Sequence, residues 1–248
     1  MNYFYVEKSQ IGDSEISIVG DDVNHMKNVL RLQQGEQVMI CDGSGSNYLC
    51  EVSSFPDKKV QLKILEKKES DSELPVKIYL FQGLPKSDKM ELIIQKAVEL
   101  GVHEVIPVAM KRSIVKIEDK KKEAKKLERW QSIATAAAKQ SKRGIIPNVH
   151  QVLTYKEALQ YARDMDMKLF PYENATDIKK SKELVGRAPQ MRTIAVFVGP
   201  EGGFDDKEIL DIEAIGGEVI TLGKRILRTE TAGFTMMSIL MFEIENNE

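Results

Sequence analysis

From residue 76 onward, short apolar runs alternate with amphipathic stretches of helical period, and this alternation constrains the fold more than any other feature. The runs at 76–83, 104–110, 167–172, 193–198 and 218–222 are rich in Val, Ile, Leu and Phe and have strand length. Between them, 88–100, 119–142, 154–163 and 205–215 carry apolar residues three and four apart, and a last helix is expected over 229–244. Strands joined through helices pair in parallel, because the crossover returns each strand in the same direction. The expected class is α/β, with ligands beyond the carboxyl ends of the strands.

The chain before this region has another rhythm. Strands are expected at 3–6, 15–19, 37–41, 48–53 and 60–65, with a glycine-rich hairpin loop at 43–47. One helix interrupts them, capped by Asp21 or Asp22, with Val23, Met26, Val29 and Leu30 as its apolar stripe. That pattern reads as a small, mostly antiparallel barrel or sandwich. The polar segment 66–75, ending in Pro75, reads as the linker between domains.

The total of 36 Lys+Arg against 38 Asp+Glu, net -2, excludes a protein that is basic all over. The charge is uneven, however. Residues 107–150 hold 12 Lys+Arg against 4 Asp+Glu, whereas 1–74 and 151–248 are each net -5. Lys120-Lys121-Lys122 and Lys125-Lys126 read first as a solvated helix face, with a phosphate-binding surface as the functional alternative. Two cysteines, Cys41 and Cys50, make neither a disulfide framework nor a zinc set and are expected as free thiols. His25, His103 and His150 are too scattered to nominate a metal site, so no metal is expected. The start has no basic-then-apolar leader, and the charge-free stretch 231–242 is short of the ~20 residues a membrane span needs. A cytoplasmic protein without a membrane partner is expected.

Known nucleotide and hydrolase patterns fail. Gly223-Lys224 is followed by Arg225, so there is no Walker loop. The one Gly-x-Gly, at Gly43 and Gly45, lacks its third glycine and precedes the α/β region, which argues against a nicotinamide enzyme. His103-Glu104 has Pro107 where a metalloprotease needs its second histidine, and no Gly-x-Ser-x-Gly occurs.

Two other segments stand out. Val198, Gly199, Pro200, Glu201, Gly202, Gly203 and Phe204 lie between a buried strand and a helix that Asp205 can cap. Leu222, Gly223, Lys224, Arg225, Ile226, Leu227, Arg228, Thr229, Glu230, Thr231, Ala232 and Gly233 again run from a strand end to a helix start, with Thr229 an N-cap candidate. In a parallel sheet both loops fall at one edge. Together they form a pocket of backbone donors and acceptors, suited to a flat heterocycle more than to a triphosphate.

These two loops resemble those of the SPOUT superfamily of S-adenosylmethionine-dependent RNA methyltransferases, and specifically the RsmE type, which methylates N3 of a uridine in 16S ribosomal RNA. Further similar pieces follow in the family's order. They are His25 with Val29-Leu30-Arg31, Lys86-Ser87-Asp88-Lys89-Met90-Glu91, Lys111-Arg112-Ser113, Trp130 with Ile133, and Ala137 with Gln140-Ser141 and Arg143. The resemblance implies a PUA-like RNA-binding β-barrel over 1–72. Over 73–248 it implies a SPOUT-type parallel sheet with a C-terminal trefoil knot and an active site at a homodimer interface. It also implies 16S ribosomal RNA of the small subunit as partner and S-adenosyl-L-methionine as cofactor. The last helix, apolar nearly all round, is expected to be buried on several sides.

Uracil N3 carries a poorly acidic proton, so a base or a cationic anchor is expected beside it. Arg228 is the candidate anchor, and Glu201 and Glu230 are candidate proton acceptors or ligand-orienting groups. Phe170 and Tyr172, at a strand end, are candidate cofactor-pocket walls beside the two loops. A valine at Gly202 is expected to block cofactor entry and leave the fold intact. His25, Arg31, Lys86, Arg112, Gln140 and Arg143 are candidate RNA contacts, since Arg pairs with phosphate and Gln reads base edges. The alternative reading is a non-catalytic ribosome-assembly factor of the same fold.

Overall fold

The computed structural model describes residues 1–86, 88–114 and 119–246; Ser87 of the Lys86–Glu91 motif lies outside the described residues. The chain forms two compact units, Met1–Glu73 with Ala138–Ile146, and Leu74–Ala137 with Pro147–Glu248. The short segment Ala138–Ile146 had been expected within the C-terminal domain.

The first unit contains β1 (Asn2–Tyr5), β2 (Glu15–Ile18), α1 (Asp21–Asn24), β3 (Gln37–Cys41), β4 (Ser46–Ser54) and β5 (Val60–Glu69). They form one sheet in the order β1-β3-β4-β5-β2, antiparallel except for the β1–β3 pair. Alternate residues turn to one side, as the two-residue strand period requires. Thus Ile16 and Ile18, Val38 and Ile40, Cys50 and Val52, and Val60 and Leu62 make the core. The two outer strands, β1 and β2, are edges of an open sheet, a half-barrel in place of the expected barrel. The expected linker also begins later, because β5 continues to Glu69, pairing with Ser46 of β4. Both cysteines are free and buried, and burial pushes the Cys50 thiol up to about 12.

The expected helix at 21–30 is one α-turn followed by a wider turn over His25–Val29, closed by Leu30 N–H donating to the His25 carbonyl at 2.8 Å. The extra residue per turn shifts the phase. Val23 and Met26 stay in the core while Val29 rotates out to 64% exposed. Arg31 follows with φ 53, in the left-handed region that side chains seldom adopt.

Ala138–Ile146 belongs to this unit through specific bonds. The Tyr5 hydroxyl donates to the Arg143 carbonyl at 2.5 Å, and Gly45 N–H donates to the Gly144 carbonyl at 2.9 Å. The Arg143 guanidinium pairs with Glu73, and its side chain is only 5% exposed. Arg143 is therefore not the RNA contact expected of it: its charge is spent inside the unit.

The second unit contains β6 (Lys77–Gly83), α2 (Lys89–Glu99), β7 (Glu104–Ala109), α3 (Lys120–Ser141, its last turn counted with the first unit), β8 (Asn148–Val149), β9 (Leu153–Thr154), α4 (Tyr155–Ala162), β10 (Met167–Pro171), α5 (Ile178–Gly186), β11 (Thr193–Val198), α6 (Asp206–Ala214), β12 (Glu218–Ile220) and α7 (Thr229–Glu245). Its sheet runs β12-β10-β11-β6-β7-β8, with every pair parallel. Phe81 and Phe197 face each other across β6 and β11 and stack with centroids 4.4 Å apart. Two capping boxes, Thr154 with Glu157 and Asp205 with Glu208, start α4 and α6. On α7, Met236, Met237, Leu240 and Ile244 are buried within the chain. Ile239 and Phe242 remain 38% and 66% exposed, so this helix is covered on one side rather than several.

Replacing Arg143 by alanine strands the Glu73 carboxylate, which is 18% exposed. The expected loss is about 3 kcal/mol, the usual result of removing one partner of a buried ion pair. Urea unfolding of the full chain checks it; an unchanged midpoint would return Arg143 to the surface role.

Candidate active site

β11 lies between β10 and β6, with β12 outside β10, so the loops after all four strands gather at one sheet edge. The loop after β11 turns back on itself where Gly203 N–H donates to the Pro200 carbonyl at 2.9 Å, with Gly203 at φ +67. A side chain at 203 would be strained in that conformation and would meet Glu173.

A buried hydroxyl joins this loop to its neighbours. Thr229, the first residue of α7, donates from Oγ1 to the Gly199 carbonyl at 2.6 Å and accepts from Gln82 Nε2 at 2.9 Å. Gln82 sits at the end of β6 and is fully buried. The N-cap position itself falls to Arg228, whose side chain makes no cap bond. Thr229 thus serves as a tie across the sheet edge in place of the expected cap.

A charged bridge reinforces the tie. Lys89 Nζ lies 3.1 Å from Glu201 Oε1 and 3.2 Å from Glu230 Oε2, and Lys86 N–H donates to Glu201 at 3.1 Å. Glu230 therefore pairs with Lys89 and not with the adjacent Arg228. Hydrogen bonding to Glu201, and then to Glu230, holds the Lys89 ammonium above its ordinary 10.5. Burial pushes the Glu201 carboxyl up, but its own N–H, that of Lys86 and the Lys89 ammonium outweigh burial and hold it below 4.5. Among the described residues Arg228 makes no ion pair; it is exposed at the cavity rim.

The two loops enclose a cavity of about 420 Å³. Val198, Gly199, Pro200, Glu201, Gly202, Gly203, Ile226, Leu227, Arg228 and Ala232 line it, as their placement in the two loops led us to expect. Tyr172, Leu222 and Gly223 line a smaller concavity of about 70 Å³, which shares Pro171, Glu173, Ile226, Leu227 and Ala232 with the larger one. Thr231 lines neither and is exposed. Phe170 is fully buried in the core, edge-on to Phe204 at 6.0 Å, because it lies inside β10 rather than beyond its carboxyl end. It is no pocket wall.

A Cβ on Gly202 would stand 2.9 Å from Arg112 Cβ. A valine there presses on Arg112 and does not simply fill the cavity. Arg112 donates from Nη1 to the Gly202 carbonyl at 3.1 Å and remains 44% exposed. Lys111 holds the neighbouring Asp205 carboxyl below its ordinary value through a 2.9 Å bond. Of the other candidate RNA contacts, the Lys86 side chain is exposed in this unit. His25, Arg31 and Gln140 are exposed in the first unit.

Three lining residues escaped the sequence reading: Lys89, Pro171 and Glu173. Lys89 stands inside the Lys86–Glu91 motif, at the first residue of an amphipathic helix that follows a strand. That position was the available signal. Glu173 lies two residues beyond the end of β10, among residues without motif.

A family model for an RNA methyltransferase domain matches residues 72–241, and one for an RNA methyltransferase PUA domain matches 18–65. The chain belongs to the RNA methyltransferase family. It is 38% identical to the ribosomal RNA small subunit methyltransferase E of Bacillus subtilis (strain 168), over 99% of this chain and 98% of that protein. Identity to the protein of the same name from Mesomycoplasma hyopneumoniae (strain 232) is 33%, over 96% and 98%. Among solved structures, the ribosomal RNA small subunit methyltransferase E from Neisseria gonorrhoeae bound to S-adenosyl methionine matches with a TM-score of 0.79 at 32% identity, covering 98% and 97%.

The bridge has a defined pH window. Glu201, lowered on folding, contributes stability that is present above 4.5 and lost as pH falls through its folded value. Lys89, raised on folding, contributes below 10.5, and this is lost as pH rises through its folded value. The Lys89 side-chain ¹⁵N titration is expected to have its midpoint above 10.5. A midpoint at or below 10.5 would count against the bridge.

Proposed function

We propose that this chain transfers a methyl group from S-adenosyl-L-methionine to N3 of a uridine in 16S ribosomal RNA, acting on the small ribosomal subunit. The observation that carries the reading is the cavity of about 420 Å³ enclosed by two glycine-bearing loops at the carboxyl edge of a parallel sheet. The residues present fit the cofactor. Backbone groups of 199–203 and 222–227 suit a flat adenine, and the carboxylates of Glu173 and Glu201 suit its cationic parts. The neighbour from Neisseria gonorrhoeae, solved with S-adenosyl methionine, supports the same assignment.

The cofactor supplies a methyl group on a positively charged sulfur. Uracil N3 must lose its proton and approach that methyl in line. Arg228, exposed at the rim and unpaired among the described residues, is placed to steady the developing uridine anion. Glu201, held below its ordinary range, suits an anchor for Lys89 better than a proton acceptor. Exposed Lys86 and Arg112 in one unit, and His25, Arg31 and Gln140 in the other, are the RNA contacts of this reading. Exposing N3 requires the target base to be flipped or unpaired.

A trefoil knot over the C-terminal strands and a homodimer complete the reading. Exposed Leu92 on α2 and Ile239 and Phe242 on α7 are the apolar residues that a second copy would cover. Among the described residues no helix is long and apolar enough to cross a membrane, and a cytoplasmic location accords with a ribosomal substrate.

Calorimetry of the pure protein is expected to show S-adenosylmethionine binding. Arg228→Ala should keep that affinity while lowering the methyl-transfer rate on RNA by about 10²–10³, the usual effect of deleting one charge-stabilising group. Absence of cofactor binding would sink the proposal.

A further inference from the structure

A third concavity, of about 300 Å³, opens beside the same turn of α2 that carries Lys89. Lys89 lines the loop cavity, whereas Asp88 and Glu91 line this one. Its floor is apolar, with Leu84 and Trp130 only 2% and 6% exposed. Lys126 and Arg129, one turn apart on α3, bring two cations to it. Arg129 is fixed by a two-point pair with Glu91, Nε to Oε1 at 2.7 Å and Nη2 to Oε2 at 2.8 Å. That pair occupies two of the five guanidinium donors and leaves the others for a ligand. Asp88 occupies the N-cap of α2, yet its carboxylate makes no cap bond and is exposed on the rim.

An apolar floor, the Asp88 carboxylate as acceptor, and Lys126 beside an Arg129 that Glu91 holds in place match the parts of a nucleotide. A base would lie on the floor with its exocyclic amino group toward Asp88 and its phosphate toward Lys126 and Arg129. The volume is at the low end of the range of about 300–1,000 Å³ for small-ligand sites, which suits one nucleotide. We propose that this cavity is a subsite for a second nucleotide of the RNA substrate, one whose base carries an exocyclic amino group. The proposal rests on the RNA reading above. Uracil offers a carbonyl where cytosine offers the amino group, so it would face the Asp88 carboxylate without a donor. The subsite thus selects a neighbour of the target and sets the register in which the uridine enters the loop cavity.

Trp130 is the chain's one tryptophan beside seven tyrosines, so emission excited selectively at tryptophan reads the residue that lines this cavity. The full chain is titrated with cytidine 5′-monophosphate and with uridine 5′-monophosphate, and methyl transfer to small-subunit RNA is assayed in parallel. Cytidine monophosphate should change Trp130 emission saturably and bind about tenfold more tightly than uridine monophosphate, the discrimination expected of a base-edge bond. Asp88→Ala should abolish that preference, and Lys126→Ala should weaken both nucleotides about tenfold through the lost phosphate contact. Emission indifferent to both nucleotides, or a preference that survives Asp88→Ala, overturns the subsite. Failure of methyl transfer with the fluorescence response intact would instead count against the methyltransferase reading and leave a nucleotide site standing.

Discussion

The Thr229 hydroxyl is the interaction on which the site depends. It is buried, accepts from Gln82 at the end of β6 and donates to the Gly199 carbonyl beyond β11. Three segments distant in sequence are thereby fixed at one sheet edge, away from water, where a hydrogen bond is strong and an unmade one is costly. Without this tie, the glycine loop after β11 and the long loop before α7 would have little to hold them in register. The Lys89 bridge to Glu201 and Glu230 acts between the same segments nearer the surface. The cavity is the space these two ties leave between the loops.

The order of strands and helices from residue 76 on was legible because apolar period alone separates the two kinds of element. Loops that follow parallel strands share an edge, so the loop-derived pocket residues could be named before any coordinates. Phe170 could not be separated from Tyr172 that way. The two rings are two residues apart and share one face of the strand, and only the strand's end separates them: Phe170 lies within β10 and is fully buried, whereas Tyr172 lies beyond it and is partly buried. Lys89 was hidden for another reason. Its motif was visible, but the two carboxylates it joins lie more than 100 residues away along the chain.

Charge shows the same division. The basic stretch 107–150 is a property of sequence, yet what each cation does is a matter of tertiary partners. Arg143 looks like Arg129 in a composition count. The first is enclosed with Glu73, while the second stands 67% exposed beside a cavity. Likewise Val29 fits a helical stripe by spacing and is turned outward by one wide turn. Local pattern set the elements, and burial decided the roles.

The central claim is that the tied loops hold a cofactor against uracil N3. It is tested most directly by incubating small ribosomal subunits from a strain lacking this protein with the pure chain and methyl-labelled S-adenosylmethionine, then analysing the nucleosides of 16S RNA. The account predicts one labelled nucleoside, 3-methyluridine. No label in RNA, or label on another uridine atom or on ribose, would contradict it.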